Sequence, residues 1–438
     1  MGAHNSVGRS AMDDSRLASR YSQKMALSVA VLRNRDFRLL IATRLMGMLA
    51  LQAQAVIVGW QVYTLTHDPL MLGLVGLAEA VPALTCALFA GHWVDVGKPF
   101  RIYTTCLIIM ALIMVMLLLA GGGIAPLSER QVLWALFTGV FLSGLARSFI
   151  MPASVTLLSR FVPRADIPAA SGWLSSAFQV AAIAGPAIAG LVYGVYGARI
   201  AWSMPVVFMA IAVVAILRTD PRHRHHRNNE TREPAMQSIR AGWRFILKDR
   251  RLLSVMALDM LAVLFGGAVA VLPVFADQVL HTGSEGLGIL RAVPAVGSII
   301  TALAMALYPP SVIRARLLLW MVAGFGASMI GFGLSTSFVW AALFLAASGA
   351  FDSISMVIRG TLVQWLTPDA MRGRVASVNS MFIISSNELG AFESGAAASL
   401  FGLVPSIVIG GVGTLVVVAA TALFAPKLRR TVVDANTL

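Results

Sequence analysis

Residues 218–251 read RTDPRHRHHRNNETREPAMQSIRAGWRFILKDRR, and little else in the chain is so charged. A long apolar half lies on either side. The halves begin alike: Leu32-Arg33-Asn34-Arg35 precedes the first and Leu247-Lys248-Asp249-Arg250 the second. The polar middle reads as a linker between two copies of one membrane unit. Within it, Ile239, Trp243, Ile246 and Leu247 share one side of a short helix beside Arg240, Arg244 and Lys248, which suits a helix lying on the cytoplasmic surface. His223, His225 and His226 fall in a basic run. A solvated loop is the expectation there, with a metal-binding tract as the alternative.

The composition agrees. Hydrophobic residues make up 58% of the chain and charged residues 12%, with a mean hydropathy of +0.80. Soluble domains are about a quarter charged, so a chain this apolar is expected to be a polytopic membrane protein. Twelve apolar spans are predicted, near 39–63, 71–94, 102–120, 132–158, 169–196, 200–217, 252–276, 286–309, 317–334, 338–366, 375–402 and 404–425. Their length argues for helices, because barrel strands are about half as long and alternate in polarity. Cys86 and Cys106 both lie in apolar segments and suit neither a disulfide framework nor a metal site.

The formal net charge of +14 raises the question of nucleic acid, and the placement of the charges answers it. Of 34 Lys and Arg, 28 fall on the termini and the even-numbered loops. Arg130 and Arg199 alone fall on odd-numbered loops, and Arg44, Arg147, Arg291 and Arg359 lie inside spans. This positive-inside pattern places both termini and the linker in the cytoplasm. The expected divisions are a cytoplasmic segment 1–38, a six-helix bundle 39–217, the linker 218–251, a second six-helix bundle 252–425 and a tail 426–438. In the first segment, Leu17, Tyr21, Met25, Val29 and Leu32 fall near helical spacing; an amphipathic surface helix and a frayed terminus are both open. Met1 to Ser6 matches the short myristoylation pattern, which a polytopic protein has no need of.

The second span carries Glu79 and runs into Gly91-His92-Trp93-Val94-Asp95-Val96-Gly97-Lys98-Pro99-Phe100-Arg101. This stretch resembles the cytoplasmic gating loop of the major facilitator superfamily, with Gly91, Asp95, Gly97, Lys98 and Arg101 at the matching positions. It departs from the family pattern at Val96, in the single residue between Asp95 and Gly97, and at Pro99. One ionic contact of the usual gate is therefore expected to be missing. Gly185-Pro186, with Gly190 beyond, is similar to the fifth-helix motif of antiporters in that superfamily, although Ala181 and Ala189 stand where Gly is usual. Plain close packing of helices explains the same small residues. The stretches 367–375 and 386–395 resemble the enterobactin-exporter-like (transmembrane secretion effector) branch. The likeness covers about residues 30–425 and implies a proton-coupled exporter of small molecules.

The second half repeats the first. An offset of 215 sets Arg44 opposite Asp259, one of 212 sets Gly76 and Glu79 opposite Gly288 and Arg291, and one of 205 sets Arg147, Gly190 and Gly197 opposite Asp352, Gly395 and Gly402. The expected architecture is therefore all-α, with two pseudo-symmetric six-helix bundles about an axis along the membrane normal. Three aligned positions exchange charge. Either these charges offset one another across a central cavity, or each pairs within its own half. The eleventh span adds Asn387, Glu388 and Glu393.

Intramembrane charges are functional candidates by default. Asp259, Asp352 and Glu388 are the expected proton carriers, with Arg44, Arg147 and Arg359 as charge partners. Gln54, Trp60, Gln179 and Asn387 are the expected lining of the substrate cavity. No phosphate-binding Gly-rich loop, metal-spaced His/Cys cluster or nucleophile elbow is present in the sequence. The expectation is a non-enzymatic secondary transporter of the bacterial inner membrane, monomeric and without a cofactor or nucleic acid. Siderophore or drug efflux by proton antiport is the leading version. Uptake symport, facilitated transport and a transport-dead receptor or scaffold are the alternatives.

Overall fold

The computed structural model describes residues 31–163, 166–220, 235–307, 312–368, 371–429 and 431–434. The pattern from Leu17 to Val29, the Met1 to Ser6 pattern and the three linker histidines lie outside the described residues.

The first half holds α1 (Arg35–Thr66), α2 (Pro69–Val96), α3 (Pro99–Gly121), α4 (Glu129–Phe161) and α5 (Ile167–Leu217). The start of α1 is fixed by Asn34. Its side chain accepts hydrogen bonds from Asp36 N and Phe37 N at 2.9 and 3.2 Å, filling two of the donors that a helix start leaves open. Its amide also donates to Phe161 O at 2.8 Å, tying α1 to the end of α4. The 51 residues of α5 are two spans in one run. They part at Gly197, whose φ of 77° falls in the left-handed region that suits glycine. Its aligned counterpart Gly402, at φ 86°, makes the same break in the second half.

The linker contributes α6 (Ala235–Lys248), followed by α7 (Arg250–Gly266), a 3-10 turn over Ala268–Val271 and α8 (Leu272–Gln278). Asp249 caps α7 by accepting from Arg251 N at 2.9 Å. Burial alone would lift its carboxyl. The backbone and side-chain hydrogen bonds from Arg251 outweigh that and hold it below the usual carboxylate range. The resulting stability is present at neutral pH and is lost as pH falls through the folded value. Then come α9 (Gly283–Leu307), α10 (Ala315–Gly333), α11 (Phe338–Leu366), α12 (Arg372–Phe401), α13 (Leu403–Phe424) and the short α14 (Pro426–Arg429).

Among the described residues, ten helical segments are long and apolar enough to cross a membrane. Splitting α5 at Gly197 makes eleven. Helix α12 makes twelve: its 30 residues span a bilayer in length, while Arg372, Arg374, Asn387, Glu388 and Glu393 lower its hydropathy. The seventh span is interrupted by the 3-10 turn after Gly266-Gly267, a break the apolar run 252–276 did not announce. Two three-residue strands also depart from the all-helical expectation. Here β1 (Val312–Arg314) pairs antiparallel with β2 (Val432–Asp434), tying the tail to the loop before α10.

In the first half, α1 packs on α5, and α4 on α2 and α3; in the second, α11 packs on α9 and α10, and α13 on α7 and α10. The halves are joined chiefly by two helix pairs, α2 with α12 and α5 with α9, with α1 also touching α8 and α9. Their close approaches gather on the face away from the termini. A Cβ at Gly190 would sit 2.7 Å from Gly288 Cα, and one at Gly395 would sit 2.7 Å from Gly73 Cα. The two contacts are near-symmetric: Gly190 aligns with Gly395, and Gly73 lies one turn from Gly76, the counterpart of Gly288. Missing side chains are what let these backbones touch.

Gly190→Leu is therefore expected to hold this face apart, because the obstructing atoms are backbone and cannot rotate away. Spin labels at the exposed Ile124 and Leu334, one on each half, should then lie several ångströms farther apart. An unchanged distance distribution would show that the seam tolerates a side chain.

The linker helix α6 packs on α12 and touches α2. Trp243 stacks on Phe382 with centroids 5.3 Å apart, Ile246 is buried, and Leu247 is exposed. One side of the amphipathic helix is thus seated on protein.

Candidate functional site

The intramembrane charges form two levels. Glu79, Arg147, Asp352 and Glu388 lie near the middles of their helices. Arg44, Asp259 and Arg359 lie nearer the face that carries the termini.

At the middle level, Arg147 on α4 forms an ion pair with Glu79 on α2. It also interacts electrostatically with Glu388 on α12, which belongs to the other half. Helix α2 lies between α4 and α12 and brings the three together. Gly144 receives the backbone of Glu79, and Gly76 packs against Ala391 beside the Glu388 carbonyl. The Arg147 side chain is 44% exposed although it sits midway along its helix.

The second level is arranged differently. Asp259 on α7 pairs with Arg359 on α11, and their side chains are 12% and 6% exposed. This pair is sealed inside the second half. Glu79–Arg147 and Asp259–Arg359 thus each pair within one half. Asp352 has no ion-pair partner among the described residues, since Arg359, seven residues along α11, is held by Asp259. Arg291 donates to Ala55 O at 2.6 Å, a hydrogen bond between the halves. Arg44 is not brought to any of the three candidate acids. Both its terminal nitrogens lie 3.4 Å from Met151 Sδ.

Gln54 is buried and donates to Ser143 Oγ at 3.1 Å, inside the first half. Trp60 packs edge-on against Tyr63 at 6.2 Å. Gln179 is half-buried on α5, and Asn387 is exposed on α12, one residue before Glu388. The structure does not gather these four. Gly185 lies against Gln52 of α1, while Pro186 and Gly190 meet Gly288 of α9, so the Gly-Pro stretch serves packing both within and between halves. In the loop stretch, Gly97 and Lys98 form the two-residue connection from α2 to α3, and Arg101 is exposed. The surroundings of Gly91 and the side chain of Asp95 lie outside what the structure describes.

Two polar contacts escaped the sequence reading. Tyr63 Oη donates to Asp277 Oδ2 at 2.9 Å across the halves. The signal was present: Tyr63 and Asp277 are 214 positions apart, as are His67 and His281, both at φ 51°. The other is a buried staple in which Trp202 Nε1 donates to Gln61 Oε1 at 2.9 Å and Gln61 Nε2 donates to Gly121 O at 2.7 Å. Nothing in the local sequence marks Gln61 as the cap of a helix sixty residues away.

A family profile described as Major Facilitator Superfamily matches residues 40–383. Among curated relatives, the enterobactin exporter EntS of Escherichia coli O1:K1 / APEC is 23% identical over 420 residues, covering 93% of this chain and 96% of its own. EntS of Shigella boydii serotype 4 (strain Sb227) matches to the same extent. Among solved structures, the POT family transporter PepTSo aligns with a TM-score of 0.71 at 13% identity, over 90% of this chain and 98% of that one. A bacterial homolog of the human lysosomal transporter Spinster, inward-facing and unoccupied, aligns with a TM-score of 0.67 at 16% identity, over 90% and 97%. At these identities the structural likeness speaks for the fold alone. Family and fold are those of transporters, and the molecule is a multi-pass membrane protein of twelve spans.

Proposed function

The chain belongs to the Major Facilitator Superfamily, and from that premise we propose that it exports a small molecule across a bacterial inner membrane in exchange for protons. Alternating access of the two halves carries the cargo, and a siderophore- or drug-like molecule is the substrate class. The observation that carries this reading is the Arg147–Glu79 ion pair on the first half, with Glu388 of the other half near enough to feel the Arg147 charge. One cation shared by two carboxylates leaves an excess negative charge in a low-dielectric site, which a proton can remove. Because Glu388 sits on the opposite half, any relative motion of the halves changes the field it feels. Asp352, with no ion-pair partner among the described residues, is the second carrier candidate. Asp259 is the third, through its pair with Arg359. The distant likeness to EntS supports export over uptake.

The test is flux in proteoliposomes of the purified protein, with and without a pH gradient, using substrates found by comparing exported metabolites from cells with and without the protein. Flux that ignores the gradient would favour a facilitator. No flux at all would favour a receptor or scaffold, a reading that the cost of so many intramembrane charges weighs against.

In this reading the face carrying the termini is cytoplasmic, and the seam of glycines closes the outer side, so the described state is inward-open. A cysteine placed at position 226 is then expected to resist membrane-impermeant reagents in intact cells and to react after lysis. Ready labelling from outside would reverse the orientation.

A further inference from the structure

Among the described residues, three of the four intramembrane arginines have an oxygen to bind. Arg147 has Glu79 and Glu388, Arg359 has Asp259, and Arg291 has the carbonyl of Ala55. The hydrogen-bond partner of Arg44 is a thioether, Met151 Sδ, a weak acceptor, and the Tyr103 phenol nearby is engaged with Ser154. The Arg44 Nε is buried with no hydrogen-bond partner. An arginine inside a span is costly unless it meets water or an anion. The surroundings show where an anion would come from. Met151 lies one helical turn from Arg147, toward the face that carries the termini, and Arg147 looks across to Glu388 of the other half. Met151 and Val155 continue that line along α4 and are 53% and 66% exposed. Arg44 therefore stands beside an exposed apolar line on α4 that begins at Arg147, whose charge acts on Glu388 of the other half. Its aligned counterpart, Asp259, is occupied by Arg359 and offers it no negative charge.

We propose that Arg44 receives an oxyanion, a carboxylate, phenolate or phosphate, of the transported molecule, whose apolar part lies over Met151 and Val155. This deepens the transporter reading and rests on it. A guanidinium forks two parallel hydrogen bonds onto such a group, and charge assistance makes them about twice as strong as neutral ones. The substrate is thus an amphipathic organic anion, and the carboxylates at the middle level are kept clear of it for protons.

The test is equilibrium binding to the full chain in nanodiscs, with no gradient, so it does not depend on whether transport is proton-driven. The probes are naphthalene-2-carboxylate, octanoate and phenyl phosphate, each beside its uncharged amide or alcohol. The wild type in phosphatidylcholine discs is expected to prefer at least one anion by about tenfold or more, the factor a charged hydrogen bond carries. Arg44→Gln should erase that preference while leaving the neutral partner's affinity unchanged, and Arg44→Lys should restore part of it. Lys keeps the charge, so it serves as the folded control if the Gln variant is unstable. Repeating the measurement in phosphatidylglycerol discs separates the source of the oxyanion. If anion binding collapses there, and Arg44 instead confers a stability that depends on the anionic lipid, the site holds a headgroup and the proposal is overturned. Equal affinity for anion and neutral partner across all three pairs overturns it as well. Loss of gradient-driven flux with anion preference intact would count against proton coupling and leave this site standing.

Discussion

Glu388→Gln is expected to reduce pH-gradient-driven flux by about tenfold or more while leaving substrate exchange at equal pH intact. An interaction of about 1.4 kcal/mol that differs between two states already carries a tenfold factor. The amide keeps the size and hydrogen-bonding capacity of the side chain and removes the titration. What is lost is the extra negative charge that makes Arg147 the centre of a three-group site. Arg147→Gln tests the same site from the other side. Two carboxylates would then share a low-dielectric pocket without their cation, and each would hold its proton more tightly. The pH profile of flux should move to higher pH, with some loss of protein because unpaired charge is left inside the bundle. Full gradient-driven transport by the Glu388, Asp352 and Asp259 amide variants alike would mean that the carrier lies elsewhere or that protons are not coupled.

Arg359→Ala is expected to destabilise the protein more than any other single change at these charges. It leaves Asp259 buried and alone, and breaking a buried pair by removing one partner costs about 3–5 kcal/mol. The variant should melt many degrees lower in detergent and show aggregation by size exclusion. Asp259→Asn combined with Arg359→Gln should recover most of that loss, because neither buried charge remains. The double variant also divides two roles for Asp259. Retained gradient-driven flux per folded molecule would make the pair structural, and lost flux would keep Asp259 among the carriers. A single variant as stable as the wild type would mean that water reaches the pair.

Much of the architecture was legible in the sequence, because a bilayer imposes simple rules. Apolar length gave the spans, the bias of Lys and Arg gave their alternation, and offsets of 205 to 215 gave the duplication. Gly197 and Gly402, aligned on sequence alone, break their helices at the same place and in the same region of φ. The pairing of the charges was less legible. Asp352 and Arg359, seven apart, share one face of α11, yet Arg359 pairs with Asp259, because contact between α7 and α11 has no trace in local periodicity. The Glu79 position, aligned with Arg291, suggested a structural pair; its partner is Arg147, set by the packing of α2 on α4. Gln54 read as a cavity residue because it is polar in an apolar run. Its partner Ser143 sits 89 residues away, and that contact turns it inward.

The glycine seam between the halves bears on how the molecule senses its surroundings. Where backbone meets backbone, no side chain has to freeze into one rotamer when the seam shuts, and none is released when it parts. Holding it shut are dispersion and Cα–H···O contacts, each worth a fraction of a kcal/mol to about one. Such a closure works as a detent, with the Tyr63–Asp277 and Arg291–Ala55 hydrogen bonds as its directional contacts among the described residues. The balance between its two positions is then open to forces of similar size from outside the protein. Hydrophobic mismatch supplies fractions of a kcal/mol for each ångström of thickness. The lipid around this chain therefore acts as a set-point, and membranes of different thickness would hold the same sequence at different average openings.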